Sequence, residues 1–203
     1  MHSKDAILPV SYFPSVSYLS LFNRLNVTVE IYENYQRRTF RNKCRIMSAN
    51  GMSDLVVPLR KGKTNLNVKD VLIAYDEDWV NNHLRTIRSS YGTAPYFEYY
   101  FEEIESILKA KPEYLLELSL SILEFLANKK IIDSYKTSTC YITNEDYKGY
   151  DGRIIKDIKA DEFEIYQQVF EHKYGFVSNL SILDILFNTG PECRYIIDKS
   201  VFL

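Results

Sequence analysis

The sequence predicts an α/β fold that continues into a mainly helical C-terminal half, and the N-terminal residues carry that prediction. Residues 6–10 form a short apolar run typical of a buried strand, and residues 27–32 alternate between apolar and polar side chains. Ser15 lies between these runs and precedes apolar residues at helical spacing, so it is well suited to cap a helix. A strand, a helix and a second strand in that order predict a βαβ unit with a parallel strand pair.

A β-hairpin at about residues 44–58 is expected to make the sheet mixed. The Asn50-Gly51 pair between two apolar runs marks its turn and is a strong short-range hairpin signal. Residues 68–75 are predicted to form a further strand. The α/β part of the chain would then occupy about residues 1–78.

Helices are expected over the remainder, about residues 79–203. Gly92 is placed to end the first of them, and Pro95 is placed to begin the second. A third helix is predicted over residues 112–130 and is apolar on nearly every side. Such a helix is either buried or in contact with a partner.

A last helix is expected near the C-terminus. Asn179 is placed to cap it, and Gly190 is placed to end it. Between them, Ser181, Asp184 and Asn188 recur at helical spacing, so an otherwise apolar helix would carry one polar stripe. A polar stretch at 144–160 is expected to be a loop within a single domain, residues 1–203.

Composition excludes several functional classes. The formal net charge is −2 and the pI is near 6.0, which argues against a dedicated nucleic-acid-binding protein. Cys44, Cys140 and Cys193 are odd in number and widely spaced, a pattern typical of free thiols in a reducing cytosol and unlike a structural zinc site. The sequence thus predicts no metal site.

Localisation and assembly are only partly constrained. The N-terminal apolar run is too short for a signal peptide, and no stretch reaches the roughly 20 apolar residues of a membrane span. We therefore expect a cytoplasmic protein without a transmembrane segment, and both a monomer and a homo-oligomer remain open. The sequence names no cofactor, because the common phosphate-loop, dinucleotide, zinc-protease and serine-hydrolase motifs do not occur in it.

A cluster of basic residues marks the candidate binding site. Five of the nine residues from 37 to 45 are basic, and on a strand Arg41, Lys43 and Arg45 would share one face. Arginine binds phosphate and carboxylate groups bidentately, which favours an anionic small molecule such as a sugar nucleotide. Basic residues also protect hairpin edges from edge-to-edge pairing, so this alternative stays open. The candidate substrate-binding residues are Tyr12, Tyr18, Arg37, Arg38, Arg41 and Arg45.

Two further residues are candidates for proton transfer. His83 lies on the first predicted helix near two arginines and could act as a general acid or base, or it could be a partly buried structural histidine. Asp184 is costly to bury unless it is paired, so it could anchor an arginine of the basic cluster or face water. We take His83 and Asp184 as the candidate catalytic residues.

Three stretches of the chain resemble the WbqC-like family: residues 8–18, residues 35–45 with 57–59, and residues 175–191. The spacing of Trp79 and His83 agrees with the same family. The resemblance implies a single WbqC-like domain. Because members are associated with bacterial surface-polysaccharide gene clusters, it also implies a setting in surface-polysaccharide biosynthesis.

The last of these stretches departs from the family pattern. Members often have His-Gly-Phe and Asn-Glu-Gly-Pro where this chain has residues 174–176 as Tyr-Gly-Phe and residues 188–191 as Asn-Thr-Gly-Pro. If the family's histidine and glutamate do chemistry, this chain would be weakened, altered or inactive.

Two functional hypotheses follow. The first is an enzyme, a transferase that moves a small group to a nucleotide- or lipid-activated sugar and binds it between the first loop and the basic cluster. The second is a non-catalytic module that docks on the polysaccharide machinery through the helix at 112–130 or through the basic patch. The sequence does not decide whether turnover occurs.

Overall fold

A computed structural model describes residues 5–60, 66–143, 147–153 and 162–200 of the chain. Its main sheet has four parallel strands in the order β5-β2-β1-β6. The strands are β1 Asp5–Pro9, β2 Asn26–Glu30, β5 Lys136–Thr137 and β6 Tyr150–Asp151. Helix α1, Val16–Phe22, connects β1 to β2, and Ser15 caps it by accepting a hydrogen bond from the Tyr18 N–H. The predicted βαβ unit is therefore confirmed.

A two-stranded antiparallel hairpin completes the mixed architecture. Strands β3, Lys43–Ser48, and β4, Gly51–Val56, pair along their whole length. Ala49 and Asn50 form the turn, and Gly51, the first residue of β4, has φ +102°, a conformation that a residue with a side chain rarely adopts. The predicted hairpin therefore forms, with its two turn residues one position before the Asn50-Gly51 pair. The predicted strand at 68–75 is wrong: residues 68–70 form a 3₁₀ turn, and residues near 72 and 73 form isolated bridges only.

The C-terminal half is mainly helical, as predicted, although several helix ends differ. Its helices are α2 Trp79–Tyr91, α3 Phe97–Lys109, α4 Leu115–Asn128, α5 Glu171–Tyr174, α6 Ile182–Thr189 and α7 Cys193–Lys199. Both α3 and α4 begin two or more residues after the prolines that mark their approach, Pro95 and Pro112. Proline restricts the residue before it to extended conformations. Pro95 and Pro112 therefore lie in the turns that precede the two helices and not at the first helical position.

Helix α4 is not apolar on all sides. Residues Leu118, Ile122 and Leu126 are buried in the core, whereas Glu117 and Glu124 lie on the exposed side. The core of this protein therefore covers the apolar face of α4. The helix offers no wide apolar surface of the kind that the docking hypothesis required.

The cap of the last predicted helix is a different residue from the one expected. The Ser181 side chain accepts from the Leu183 N–H at the start of α6, whereas Asn179 lies outside the helix. Gly190 ends α6 at φ +54°, as predicted. A Cβ at Gly190 would lie 2.4 Å from a ring carbon of Tyr96, so no other residue fits without displacing that ring. Residues 162–170 are irregular, and part of the predicted loop 144–160 lies outside the described residues.

One continuous hydrophobic core joins the sheet, the hairpin and the helices. Helix α6 lies at its centre and contacts α2, α3 and β3. This central helix thus connects the two halves of the chain. Among the described helices, none combines the length and the apolar character that crossing a membrane requires.

Candidate functional site

A polar cleft of about 240 Å³ lies where the loop after β1 meets the exposed face of the hairpin. Residues 178–181 close its third side. Because β1 is a strand of a parallel sheet, the cleft lies beyond a strand's carboxyl end, where open α/β sheets bind ligands. The lining residues are Ser11, Tyr12, Phe13, Ser15, Tyr18, Arg38, Phe40, Lys43, Cys44, Arg45, Met52, Asp54, Ser178, Asn179 and Ser181.

The C-terminal segment holds the first loop in place. The Asn179 Oδ1 accepts hydrogen bonds from the Ser17 N–H at 3.0 Å and from the Ser17 hydroxyl at 2.5 Å. The Val16 N–H donates to the Leu180 carbonyl, and the Ser181 hydroxyl donates to the Phe13 carbonyl. These contacts occupy the N–H groups at the start of α1, so an anion in the cleft must be bound mainly by side chains.

Three residues with unusual backbone conformations line this cleft. Phe13, Arg38 and Asn179 have φ values of +39°, +61° and +57°. A positive φ costs free energy for a residue other than glycine, and such conformations cluster at functional sites. The first loop, the basic segment and the C-terminal segment each contribute one of them.

The hairpin supplies the positive charge of the cleft. Lys43 and Arg45 lie on the exposed face of β3, as strand alternation predicts, and Asp54 faces Arg45 across the hairpin. The Asp54 carboxylate accepts from Lys43 Nζ at 3.1 Å and from Arg45 Nε at 3.3 Å. Arg38 adds a third cation and is exposed. Three cations against one carboxylate leave a positive surplus that suits an anion.

Arg41 is not part of this face. It precedes β3, is fully buried, and donates from Nε and Nη2 to the Glu33 carboxylate at 2.8 and 2.7 Å. Its guanidinium also donates to the Thr39 hydroxyl and to the Arg153 carbonyl. The predicted shared face of Arg41, Lys43 and Arg45 is therefore wrong for Arg41, because a buried arginine needs this complete set of acceptors. It has no donor group directed to the cleft.

A buried cluster of charges surrounds Arg41 at the carboxyl edge of the parallel sheet. Arg153 donates to Asp151 at 2.6 Å and to Glu30 at 3.3 Å. Burial raises the pKa of Glu33, although Arg41 opposes the rise. At Asp151 burial also acts to raise the pKa, but hydrogen bonds from Arg153 outweigh it and lower the pKa overall. We name the five residues Glu30, Glu33, Arg41, Asp151 and Arg153 the buried charge cluster.

Sequence reasoning missed most of the buried charge cluster. Glu30 is the last residue of β2, and Asp151 is the last residue of β6. A carboxylate at the end of an apolar strand is the signal that could have identified Glu30. Strand β6 has only two residues and gives no periodicity, so nothing in the sequence marks Asp151.

The two tyrosines line the cleft, but their rings are buried. Tyr12 and Tyr18 are 0% and 1% exposed, so neither offers a free face for stacking on a ligand ring. The Tyr18 hydroxyl donates to the Pro9 carbonyl at 2.6 Å. Burial raises the pKa of both phenols, which therefore stay protonated at neutral pH. Cys44, which is also buried, has its pKa raised for the same reason.

His83 lies behind the cleft wall. Its Nδ1 is 2.9 Å from the Tyr12 hydroxyl, its ring also hydrogen-bonds the backbone of Val56, and it contacts the Trp79 ring edge to face. Burial lowers the pKa of His83 from 6.5 to about 4, so the ring is neutral at pH 7. A neutral Nδ1 accepts the Tyr12 O–H, and the other ring nitrogen then carries the proton. His83 is not among the residues that line the cleft.

Asp184 is buried in α6 among neutral partners. Its Oδ2 accepts from the Tyr166 hydroxyl at 2.7 Å and from Gln168 Nε2 at 2.9 Å, and Tyr91 also hydrogen-bonds the carboxyl group. Burial raises its pKa, and these hydrogen bonds partly offset the rise. Asp184 therefore neither anchors an arginine of the basic cluster nor faces water. Gln168 also bonds the Val177 backbone in both directions, so Asp184 helps to fix the segment that leads to Asn179.

The cleft contains functional candidates that the sequence did not single out. Asp54 is the carboxylate within it, and Ser178 contributes a polar side chain from the C-terminal segment. Asn179 was expected to cap α6 and instead accepts from Ser17 in the first turn of α1, 162 residues away in sequence. A contact at that separation leaves no local pattern. Arg37 is exposed and lines a neighbouring cleft that also reaches Arg38.

Comparisons with known proteins identify the family. The chain is similar to the uncharacterized protein Rv1507c of Mycobacterium tuberculosis, with 27% identity over 224 residues that cover 93% of this chain and 95% of that protein. No solved structure matches significantly. The profile of the WbqC-like protein family matches residues 10–161, which include the first loop and the hairpin but not residues 175–191. Because this match spans well over half of its length, the chain belongs to the WbqC-like protein family.

Proposed function

We propose that the cleft binds an anionic, activated sugar and that the protein transfers a small group to it during surface-polysaccharide biosynthesis. One observation carries the binding part: Arg38, Lys43 and Arg45 converge on a concave, polar surface beside the first loop. Side-chain hydroxyls from the first loop and from residues 178–181 line the same surface. Cations beside hydroxyl groups suit a ligand that joins phosphate to a sugar.

The transfer part depends on the family resemblance and on the chemistry that the cleft offers. A sugar hydroxyl that attacks the acyl carbon of a donor such as a coenzyme A thioester must lose its proton to a base, and the thioester bond breaks as the coenzyme A thiolate leaves. Asp54 is a carboxylate within reach of the cleft, and we assign it this role. His83 and Asp184 would not touch the ligand and would act as positioning residues. His83 would position the Tyr12 hydroxyl, and Asp184 would position the segment that carries Asn179.

A non-catalytic binding module is the second candidate. The observation that favours it is the protonation state of the cleft wall, since burial keeps Tyr12, Tyr18 and Cys44 protonated. The carboxylate of Asp54 is moreover already paired with two cations, Lys43 and Arg45. A module of this kind would bind the same anionic ligand through the basic cleft and would release it unchanged.

Calorimetric titration with a panel of nucleotide sugars and coenzyme A thioesters tests the binding proposal. We expect at least one compound to bind, and Lys43→Ala to weaken that binding about tenfold, the effect of losing one charge-assisted contact. Arg85→Ala is the matched control, because it removes one exposed cation from α2, outside the cleft. Absence of binding by every compound, or equal weakening by both variants, would exclude the proposed site.

Mass spectrometry of the incubated mixtures then separates the two candidates. The enzyme hypothesis predicts a sugar product whose mass is increased by the transferred group, and it predicts that Asp54→Asn binds ligand but forms no product. The module hypothesis predicts binding with unchanged ligand masses in both proteins.

A further inference from the structure

A second cleft lies directly beside the first and shares three residues with it. Arg38, Lys43 and Asp54 line both, so they form the wall between the two spaces. The second cleft has a volume of about 630 Å³. The apolar and aromatic residues that line it include Tyr35, Val56, Pro58, Leu59 and Leu66.

The chemistry of the second cleft differs from that of the first. Just over half of the residues that line it are aliphatic or aromatic, and Val56 is 45% exposed although it is apolar. Val56 pairs with Lys43 across the hairpin, so both side chains lie on the same face of the hairpin. An apolar surface therefore lies next to Lys43, one of the cations that line the first cleft.

Positive charge also borders the apolar part. Arg37 and Arg60 line the second cleft and are exposed. An occupant with an apolar body and a negative group next to it would be complementary to this arrangement. A ligand that lies across the shared wall would place its negative group against Arg38 and Lys43.

We propose that the second cleft holds the nucleoside ring system of a nucleoside diphosphate sugar, with the diphosphate at Arg38 and Lys43 and the sugar in the first cleft. This inference rests on the proposed function and specifies the activating group and the direction in which the ligand lies. A flat ring could pack against Pro58 and Val56, which both line this cleft. A polyprenyl chain is apolar along its whole length, whereas Arg37 and Arg60 add charge to the lining.

Titrations with increasingly complete ligands test this arrangement. The probes are inorganic pyrophosphate, the uridine, cytidine, adenosine, guanosine and thymidine diphosphates, and farnesyl diphosphate as the lipid form. We expect at least one nucleoside diphosphate to bind about tenfold or more tightly than pyrophosphate, because the ring adds apolar contact. We expect farnesyl diphosphate to bind more weakly than that nucleotide.

A matched pair of variants locates the ring. Val56→Asn removes the apolar side chain from the second cleft, and Ile165→Asn removes a similar side chain from a position that lines neither cleft. Both positions are exposed, so neither variant should impair folding. We expect Val56→Asn to weaken nucleoside diphosphate binding about fivefold and to leave pyrophosphate binding unchanged, whereas Ile165→Asn changes neither.

The possible failures can be told apart. Pyrophosphate binding as tightly as every nucleotide, with no effect of Val56→Asn, would overturn the nucleoside assignment and leave the anion site intact. Preference for farnesyl diphosphate would overturn it in favour of a lipid-linked sugar. No binding by any phosphate compound would exclude the proposed function and this inference together.

Discussion

Arg38 and Arg41 are three residues apart and belong to two regions that use charge in opposite ways. Arg41 is fully buried, and its guanidinium donates to Glu33, Thr39 and a backbone carbonyl. Arg38 is exposed in the wall between two clefts, next to Lys43. The same residue type thus serves the interior in one case and the ligand-accessible surface in the other.

Burial, more than residue type, decides whether a charged side chain contributes to stability or to binding. In the buried charge cluster each charge needs a partner, because an unpaired buried charge costs several kcal/mol, on the order of 3–5. At the cleft, water screens the ion pairs of Asp54, which contribute roughly 0–1 kcal/mol and can exchange for a ligand. The first region should therefore control stability and the second should control affinity.

The largest expected effect comes from breaking the buried charge cluster. Arg41→Ala should lower the free energy of unfolding by about 3–5 kcal/mol, since it leaves the Glu33 carboxylate buried without its partner. Arg38→Asn should change it by less than about 0.5 kcal/mol, because Arg38 is exposed and asparagine tolerates a positive φ. Urea denaturation followed by circular dichroism measures both.

Two further variants separate the loss of charge from the loss of volume. If Arg41→Ala destabilises through lost volume alone, then Arg41→Met, which keeps most of the volume, should be nearly as stable as the unmodified protein. We expect Arg41→Met to be strongly destabilised, because Glu33 still lacks its partner, and we expect Arg41→Met combined with Glu33→Gln to regain stability, because it removes both charges together. Equal losses of unfolding free energy for Arg38→Asn and Arg41→Ala would contradict the distinction between the two regions.

His83 lies between these extremes, since it is buried but contacts the wall of the cleft through Tyr12. Its pKa is about 4 in the folded state against 6.5 for the free side chain. The unfolded chain therefore binds the proton more readily between these values. The contribution of His83 to stability is complete above pH 6.5 and is lost as the pH falls towards 4, to a total of about 3 kcal/mol.

A variant isolates this titration from that of other groups. His83→Gln can still accept from the Tyr12 hydroxyl and donate to the Val56 backbone, but it does not titrate. Unfolding free energies of both proteins at several pH values between 4 and 7 give the difference. We expect the difference to shift in favour of the variant as the pH falls, whereas parallel curves would show that His83 is not held neutral by burial.

A small effect on stability, and the one most informative about affinity, concerns Asp54. Asp54→Asn should change the unfolding free energy by less than about 1 kcal/mol, because both of its ion pairs are exposed. It should also tighten the binding of pyrophosphate severalfold, since Lys43 and Arg45 lose a competing carboxylate. Weaker binding in calorimetry would mean that Asp54 orients these cations rather than competes for them.

Much of the fold could be predicted because its signals are local. Ser15, Gly51 and Gly190 each act on their nearest neighbours in sequence, and each does what its residue type favours. The strand predicted at 68–75 failed because its apolar residues pack into the core from an irregular segment. An apolar run indicates that its residues are buried, but it does not show whether their backbone pairs with another strand.

The cleft could be predicted in its position, but the residues that line it could not. The first loop and the basic segment do line one cleft, as expected from their positions around β1 and the hairpin. The sequence could not show that Arg41 is buried and Arg38 is exposed. The acceptors of Arg41 come from Glu33 and from Arg153, and Arg153 lies far along the chain. The role of Asn179 was hidden for the same reason, since its partner is Ser17.

The most direct test of the central claim, that Arg38 and Lys43 form an anion site, is calorimetric titration of one double variant with pyrophosphate. Arg38→Asn combined with Lys43→Ala should weaken binding at least about a hundredfold relative to the unmodified protein, roughly tenfold for each contact. Arg85→Ala should bind pyrophosphate as the unmodified protein does. Unchanged affinity in the folded double variant would contradict the claim, because the anion would then be bound elsewhere.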